Sequence, residues 1–418
     1  MINMMKEGIK MKKSVLKKYA QLIARVGANV QKGQQVIIRA ENDQGEFVRL
    51  VATECYKAGA SKVIVEYSDE ELQKISVKYQ KIDTLASLEK WELEKWEWQA
   101  TTLPALIYIE STDPDGMKGM NQEKLAKATQ KRYPLIKPFR QRMENEYQWT
   151  IVAVPSAAWA KKVFPNETKT KAIQKLWDAI LYTARVDEEP ILAWKKHNED
   201  LQSRCDYLNQ LGLVSLHYKS GNGTDLTVGM MKEAQFLGGG EYTAHSGIYF
   251  NPNMPTEECF ITPKRGVAEG VVYASKPLSY KGELIENFWI RFHEGKAVEA
   301  HAEKGEALLQ QMIQMDEGAA YLGECALVPY DSPISNTGLL FYNTLFDENA
   351  ACHLALGMGF SNCIRNYASY KKEELDALGV NDSMIHVDFM IGTKDLEIKG
   401  YTEDGREVLL FQNGNWAF

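Results

Sequence analysis

The chain has 418 residues, 44% of them hydrophobic and 25% charged, with 49 Lys and Arg against 56 Asp and Glu for a formal charge of −7. That length suits two domains with real cores, and an acidic balance with no basic domain argues against nucleic acid as the partner. No apolar run reaches the ~18 residues that a membrane-spanning helix needs, and the basic N-terminus lacks the continuous apolar stretch of a secretory signal.

Residues 1–10 read as a leader before a further Met at Met11. Residues 14–29 have helical spacing, with Leu16, Tyr19, Leu22, Ile23 and Val26 on one stripe. After Gly33, QQVIIRA suits a buried strand. Residues 45–58 return to helical spacing (Phe47, Leu50, Val51, Cys55) until Gly59 stops them, and SKVIVEYSD is a second strand. Strand–helix–strand order implies a parallel pair. ALIYIES (105–111) and WTIVAVP (149–155) are two more buried strands, separated by a helix near 122–146. Neither G-x-G-x-x-G nor G-x-x-x-x-G-K-[ST] occurs, so nothing points to a nucleotide.

Two long helices, 168–186 and 189–211, connect to a different texture. LHYKSGNGTDLTVGM alternates around a Gly-Asn-Gly turn, FWIRFHEGKAVEAHAE turns at Glu294-Gly295, and the C-terminus carries Asp-Gly and Asn-Gly turns. The expected architecture is an α/β N-terminal domain over 11–211, including the connecting helices, and an α+β, strand-rich C-terminal domain over 212–418.

The six cysteines are scattered without a C-x-x-C pair, which predicts free, mostly buried thiols in a reducing cytoplasm. Four other clusters carry more chemistry. In NPNMPTEECFITP, Glu257 and Glu258 are adjacent, so an extended backbone points them to opposite faces. They form either a solvated pair or, given the apolar flanks, one buried carboxylate that needs a cation or hydrogen bonds. Glu324 interrupts the apolar string of YLGECALVPYDSP, where it needs a metal or a salt bridge to Arg or Lys. In LFDENAACHLALGMGF, Asp347 can cap a helix with Glu348 in its first turn, and His353 follows in an apolar stretch, as core residue or ligand. In SMIHVDFMIG, strand alternation puts His386 and Asp388 side by side on one face, either converging on a cation or with Asp orienting His. Together these clusters offer oxygen and nitrogen donors without thiolate, which suit Zn, Co or Mn and are numerous enough for two ions sharing a carboxylate.

The segments PTEE, LGE-x-ALVP, NTLFDENAACH and HVD-x-MIG resemble the aminopeptidase T and aminopeptidase S family, and VGANVQKGQQV, TARVDEEP and GTDLTVG extend the likeness from about Met11 to the C-terminus. The resemblance implies a cytoplasmic, homodimeric aminopeptidase with two divalent ions. Carried over motif by motif, it implies Glu258, Glu324, His353, His386 and Asp388 as metal ligands; Glu258 rather than Glu257 is chosen because its spacing to Glu324 matches the family's. It also implies a tyrosine ligand where this chain has Phe360, which has no oxygen to donate; the next residue, Ser361, is turned away on a helix.

The expected function is hydrolysis of the N-terminal peptide bond of peptides with a free N-terminus, with Glu257 and Glu348 as candidates for the proton-transferring group. The alternatives are a peptide- or metal-binding protein with reduced activity, as the Phe360 change permits, and another metal-dependent amide hydrolase.

Overall fold

The computed structural model describes residues 13–186 and 189–418, so the leader expected over 1–10 lies outside the described residues. The chain divides into two compact units. The first comprises the residues up to His197 with Gly240–Pro255, and the second Asn198–Gly239 with Thr256–Phe418.

The first unit is built on four parallel strands, β1 (Gln35–Glu41), β2 (Lys62–Ser68), β3 (Ala105–Glu110) and β4 (Trp149–Ala153), in the order β2-β1-β3-β4. Val36, Ile37, Ile38, Ile107 and Val152 are fully buried, as continuous apolar runs in a covered parallel sheet should be. The crossover helix Gly45–Ala58 ends at Gly59, whose φ of +117° lets its N–H reach the carbonyls of Cys55 and Tyr56. The N-terminal helix is shorter than its hydrophobic stripe: Lys13–Leu22 is α-helical and Ile23–Gly27 widens into a π turn. Gln122–Met143, Lys169–Thr183 and Pro190–Leu211 form the longer helices expected from the spacing.

The division is not the single cut after residue 211 that the change of texture suggests. It falls inside the helix Pro190–Leu211, and residues 240–255 return to the first unit. Backbone hydrogen bonds cause that return. Ile151 N–H donates to Pro252 O (2.7 Å), Met254 N–H to Ile151 O (3.0 Å) and Asn251 N–H to Gly27 O (2.9 Å), so the segment extends the free edge of β4.

The second unit holds a nine-stranded antiparallel sheet that includes the hairpins Leu213–Lys219/Asp225–Met230 and Glu283–His293/Lys296–Lys304 and the C-terminal strands. It also holds a four-stranded antiparallel sheet, in the spatial order His386–Met390, His353–Gly357, Leu322–Leu327, Cys259–Ile261. Cys259, Ile261, Cys325, Leu327, Leu354, Leu356, Val387 and Phe389 join the main core of this unit together with Leu216, Tyr218, Phe288 and Ile290. All six cysteines are buried free thiols.

Candidate metal centre

The small sheet has two buried faces of opposite character. Side chains alternate across a strand, so the residues between those that join the main core point to the other face. These are Phe260, Glu324, Ala326, His353, Ala355, Gly357, His386 and Asp388, with Glu258 one residue before its strand begins. Register does the rest. Ala355 pairs with Glu324 on one side and Asp388 on the other, and Gly357 pairs with His386. Two small residues on the middle strand thus leave the space in which the flanking polar side chains meet.

A bulge aims Glu324. Leu322 pairs with Leu356 and Glu324 with Ala355, so Gly323 is the extra residue that lets Leu322 face the core and Glu324 the centre. A Cβ on Gly323 would stand 2.2 Å from Met358 O, so only glycine fits there.

Two groups of donors result, each with its ligand atoms within 4.8 Å of one another: Glu258, Glu324 and His353; and Glu324, His386 and Asp388. Glu324 belongs to both. His353 Nε2 lies 3.1 Å from Glu258 Oε2, and His386 Nε2 lies 2.9 Å from Glu324 Oε2 and 3.3 Å from Asp388 Oδ1. Both imidazoles are oriented from behind, with Nδ1 of His353 facing Ala351 O (3.2 Å) and Nδ1 of His386 facing Met358 O (2.7 Å). With Nδ1–H donated to a carbonyl, Nε2 is the nitrogen free to act as a ligand.

The electrostatics call for a cation. Four buried carboxylates, Glu258, Glu324, Glu348 and Asp388, face two imidazoles. Burial pushes the Glu324 carboxyl up to about 7 even though His386 opposes the shift. Burial, then Asp388 and Glu258, hold the Glu348 carboxyl well above the usual range. Burial works against charge on His353, but the contact with Glu258 outweighs it and raises the imidazole to about 10. Burial opposes and Asp388 favours the His386 cation, which lies well above its ordinary value; in return, His386 outweighs burial and keeps Asp388 below the usual carboxylate range. Asp388 Oδ1 is fully buried and has no well-directed hydrogen bond. An all-oxygen and nitrogen donor set of this charge fits a hard or borderline divalent cation.

The structure thus brings together Glu258, Glu324, His353, His386 and Asp388, with Glu348 hydrogen-bonded to Asp388. Four local expectations need correction. Glu257 and Glu258 are both buried, at 6% exposure each, because the segment before the strand is irregular and enclosed rather than half exposed. Asp347 does not cap a helix: it ends the one-turn helix Thr344–Asp347, and its carboxylate accepts from Phe341 N–H (2.8 Å) and Asn343 N–H (3.1 Å). Ser361 opens a 3-10 turn rather than lying on an α-helix, while His353 opens a strand within its apolar stretch. Glu324 is paired with histidine rather than with Arg or Lys.

Phe360 sits against the centre. Its ring centroid is 4.7 Å from that of His386 and 5.5 Å from that of Phe260, and its N–H donates to Thr262 Oγ1 (2.7 Å). Sequence reasoning missed Asn349, which is fully buried and bonded to both the Glu257 backbone and the Glu348 side chain. The signal was a lone amide between Glu348 and the apolar Ala-Ala-Cys that follows.

Residues 12–416 match the family model described as thermophilic metalloprotease (M29). Aminopeptidase AmpS of Bacillus subtilis (strain 168) is 42% identical over 96% of this chain and 98% of its own length. Aminopeptidase T of Thermus aquaticus is 40% identical over 96% and 98%. The solved structure of wild-type AmpT from Thermus thermophilus superposes with a TM-score of 0.87 at 39% identity, covering 97% of this chain and all of that one. With nearly its whole length matched in sequence and in fold, the chain belongs to the thermophilic metalloprotease (M29) family.

Proposed function

We propose that the protein is a metallo-aminopeptidase that removes the N-terminal residue of peptides at a two-metal centre held by Glu258, Glu324, His353, His386 and Asp388. The observation that carries this reading is the pair of donor groups that share Glu324. Zn, Co and Mn all suit the donors, and divalent ions held there supply Lewis acidity toward a carbonyl oxygen and a water molecule.

The chain's own residues do the rest. Glu324 bridges the two groups, Glu258 and His353 complete one, and His386 and Asp388 complete the other. Glu348 is the first choice for the proton-transferring group, because its carboxyl lies against Asp388 and burial favours its protonated form. That proton can pass to the amine that leaves when the peptide bond breaks. Glu257, buried nearby, is the second choice, and single Gln variants at 257 and 348 separate the two. The excess of carboxylates in an enclosed centre also suits the free ammonium of a peptide N-terminus. Phe360 lies tilted against His386 and offers no oxygen, so the His386 group would hold an ion more weakly than the His353 group. The expected setting is the cytoplasm, and the expected partner a second copy of the chain. Among the described residues no helix is long and apolar enough to cross a membrane.

The test is release of chromophore from Leu- and Arg-anilides with added Co²⁺ or Zn²⁺, with and without chelator, alongside metal analysis. Metal-dependent turnover of free-amine substrates is expected. Preference for N-acetylated substrates would point instead to another amide hydrolase. Tight metal binding without turnover would favour the binding-protein reading that Phe360 permits.

A further inference from the structure

Two of the segments that build the centre meet at one buried amide. Asn349 lies in the 3-10 turn Glu348–Ala350 and has no exposed surface. Its Oδ1 accepts the Glu257 backbone N–H at 2.7 Å, across 92 residues of sequence. Its Nδ2 donates to Leu345 O at 3.1 Å and to Glu348 Oε1 at 3.3 Å, and its own carbonyl accepts from Ser332 Oγ at 3.1 Å. Every polar group of the side chain is used, and no other residue type of that size provides an acceptor and two donors together.

We propose that Asn349 is a positioning residue with two separable tasks. Through Oδ1 it fixes the irregular Thr256–Glu258 segment, which has no strand ladder of its own, and so sets where the Glu258 carboxylate stands relative to His353 and Glu324. Through Nδ2 it holds the Glu348 carboxyl against the centre. The inference rests on the metallo-aminopeptidase reading and adds to it the means by which a ligand segment and the proton-transferring residue are held in one geometry. Contacts of this kind behind a metal centre commonly carry about 10–100-fold in metal affinity or activity.

The experiment compares the full-length protein with Asn349→Ala and Asn349→Asp, measuring Zn²⁺ affinity by competition with a chromophoric chelator, kcat and KM on Leu-anilide, and thermal midpoint. Turnover by the unmodified protein in the same assay tests the activity itself, so a failure there is distinct from a failure of this proposal. Asn349→Ala removes both contacts and should weaken Zn²⁺ binding and lower kcat by roughly 10–100-fold each, with little change in KM. Asn349→Asp keeps the acceptor for the Glu257 N–H but lacks the donor for Glu348. It should restore most of the Zn²⁺ affinity and leave kcat low, and it serves alone if the Ala variant does not fold. The proposal is overturned if Ala lowers only the thermal midpoint, if Ala stays within twofold of the unmodified protein in both readouts, or if Asp binds Zn²⁺ no better than Ala.

Discussion

The two four-stranded sheets of this protein both bury their inner strands and differ in what that burial costs. The parallel sheet of the first unit buries Val36, Ile37, Ile38, Ile107 and Val152, for which burial is favourable at every position. The antiparallel sheet of the second unit is fully buried over Leu322–Leu327 and His353–Gly357, yet contains Glu324 and His353 within those runs. There, burial is tolerable only because the charged side chains point to one face and toward each other, as a donor set for a divalent cation. The first sheet keeps its ion pair, Arg39 with Glu66, partly exposed and fills its interior mainly with apolar side chains; the second gives up part of that apolar burial for a site.

The sharpest way to break the contrast is Glu324→Gln, which leaves side-chain volume nearly unchanged and removes the shared charge. Metal content should fall, and kcat/KM should drop about 10³-fold or more, as expected when several kcal/mol of charge stabilisation are lost. Metal analysis with the anilide assay reads both, and retention of two ions would remove Glu324 as the shared ligand. The matching change in the first sheet is Ile107→Ala. It should cost roughly 2–5 kcal/mol in denaturant unfolding and leave metal affinity untouched.

A third test uses pH. Burial raises the Asp347 carboxyl from 3.8 to about 6, against the backbone N–H groups of Phe341 and Asn343 that lower it. The folded state therefore holds this proton after the unfolded state has lost it. Asp347 contributes fully below about pH 4, and its contribution is lost as pH rises to about 6. The stability of Asp347→Asn relative to the unmodified protein should rise over that window by up to about 3 kcal/mol, read as thermal midpoints of chelator-treated protein. A flat difference would mean that Asp347 titrates normally. The smallest expected effect is Phe360→Tyr. Its ring already lies against His386, so an added hydroxyl should tighten binding of the weaker ion by about tenfold. Unchanged metal titration would show that this edge of the ring faces away from the ions.

Much of the first unit was legible in the chain. Its strands are continuous apolar runs and its crossover helix ends at a glycine, both of which are local signals. The return of residues 240–255 to that unit was not legible, because it depends on hydrogen bonds between backbone groups a hundred residues apart. In the second unit, H-x-D on an alternating strand gave the right side-chain directions for His386 and Asp388. The stretch around Asp347 misled, since Asn343, not Asp347, opens its one-turn helix, and only a 3-10 turn follows before the strand at His353.

The sequence by itself determined which residue types would be buried, where chain texture changes and, by resemblance, which five side chains belong to one centre. Only the tertiary structure decided that these five share one face. Strand register sets Ala355 and Gly357 between Glu324, Asp388 and His386, and a one-residue bulge at Gly323 turns Glu324 away from the core that Leu322 enters. Register and bulges are agreements between distant strands about which residue stands opposite which. No single strand carries that information, so the centre exists only where the strands pair.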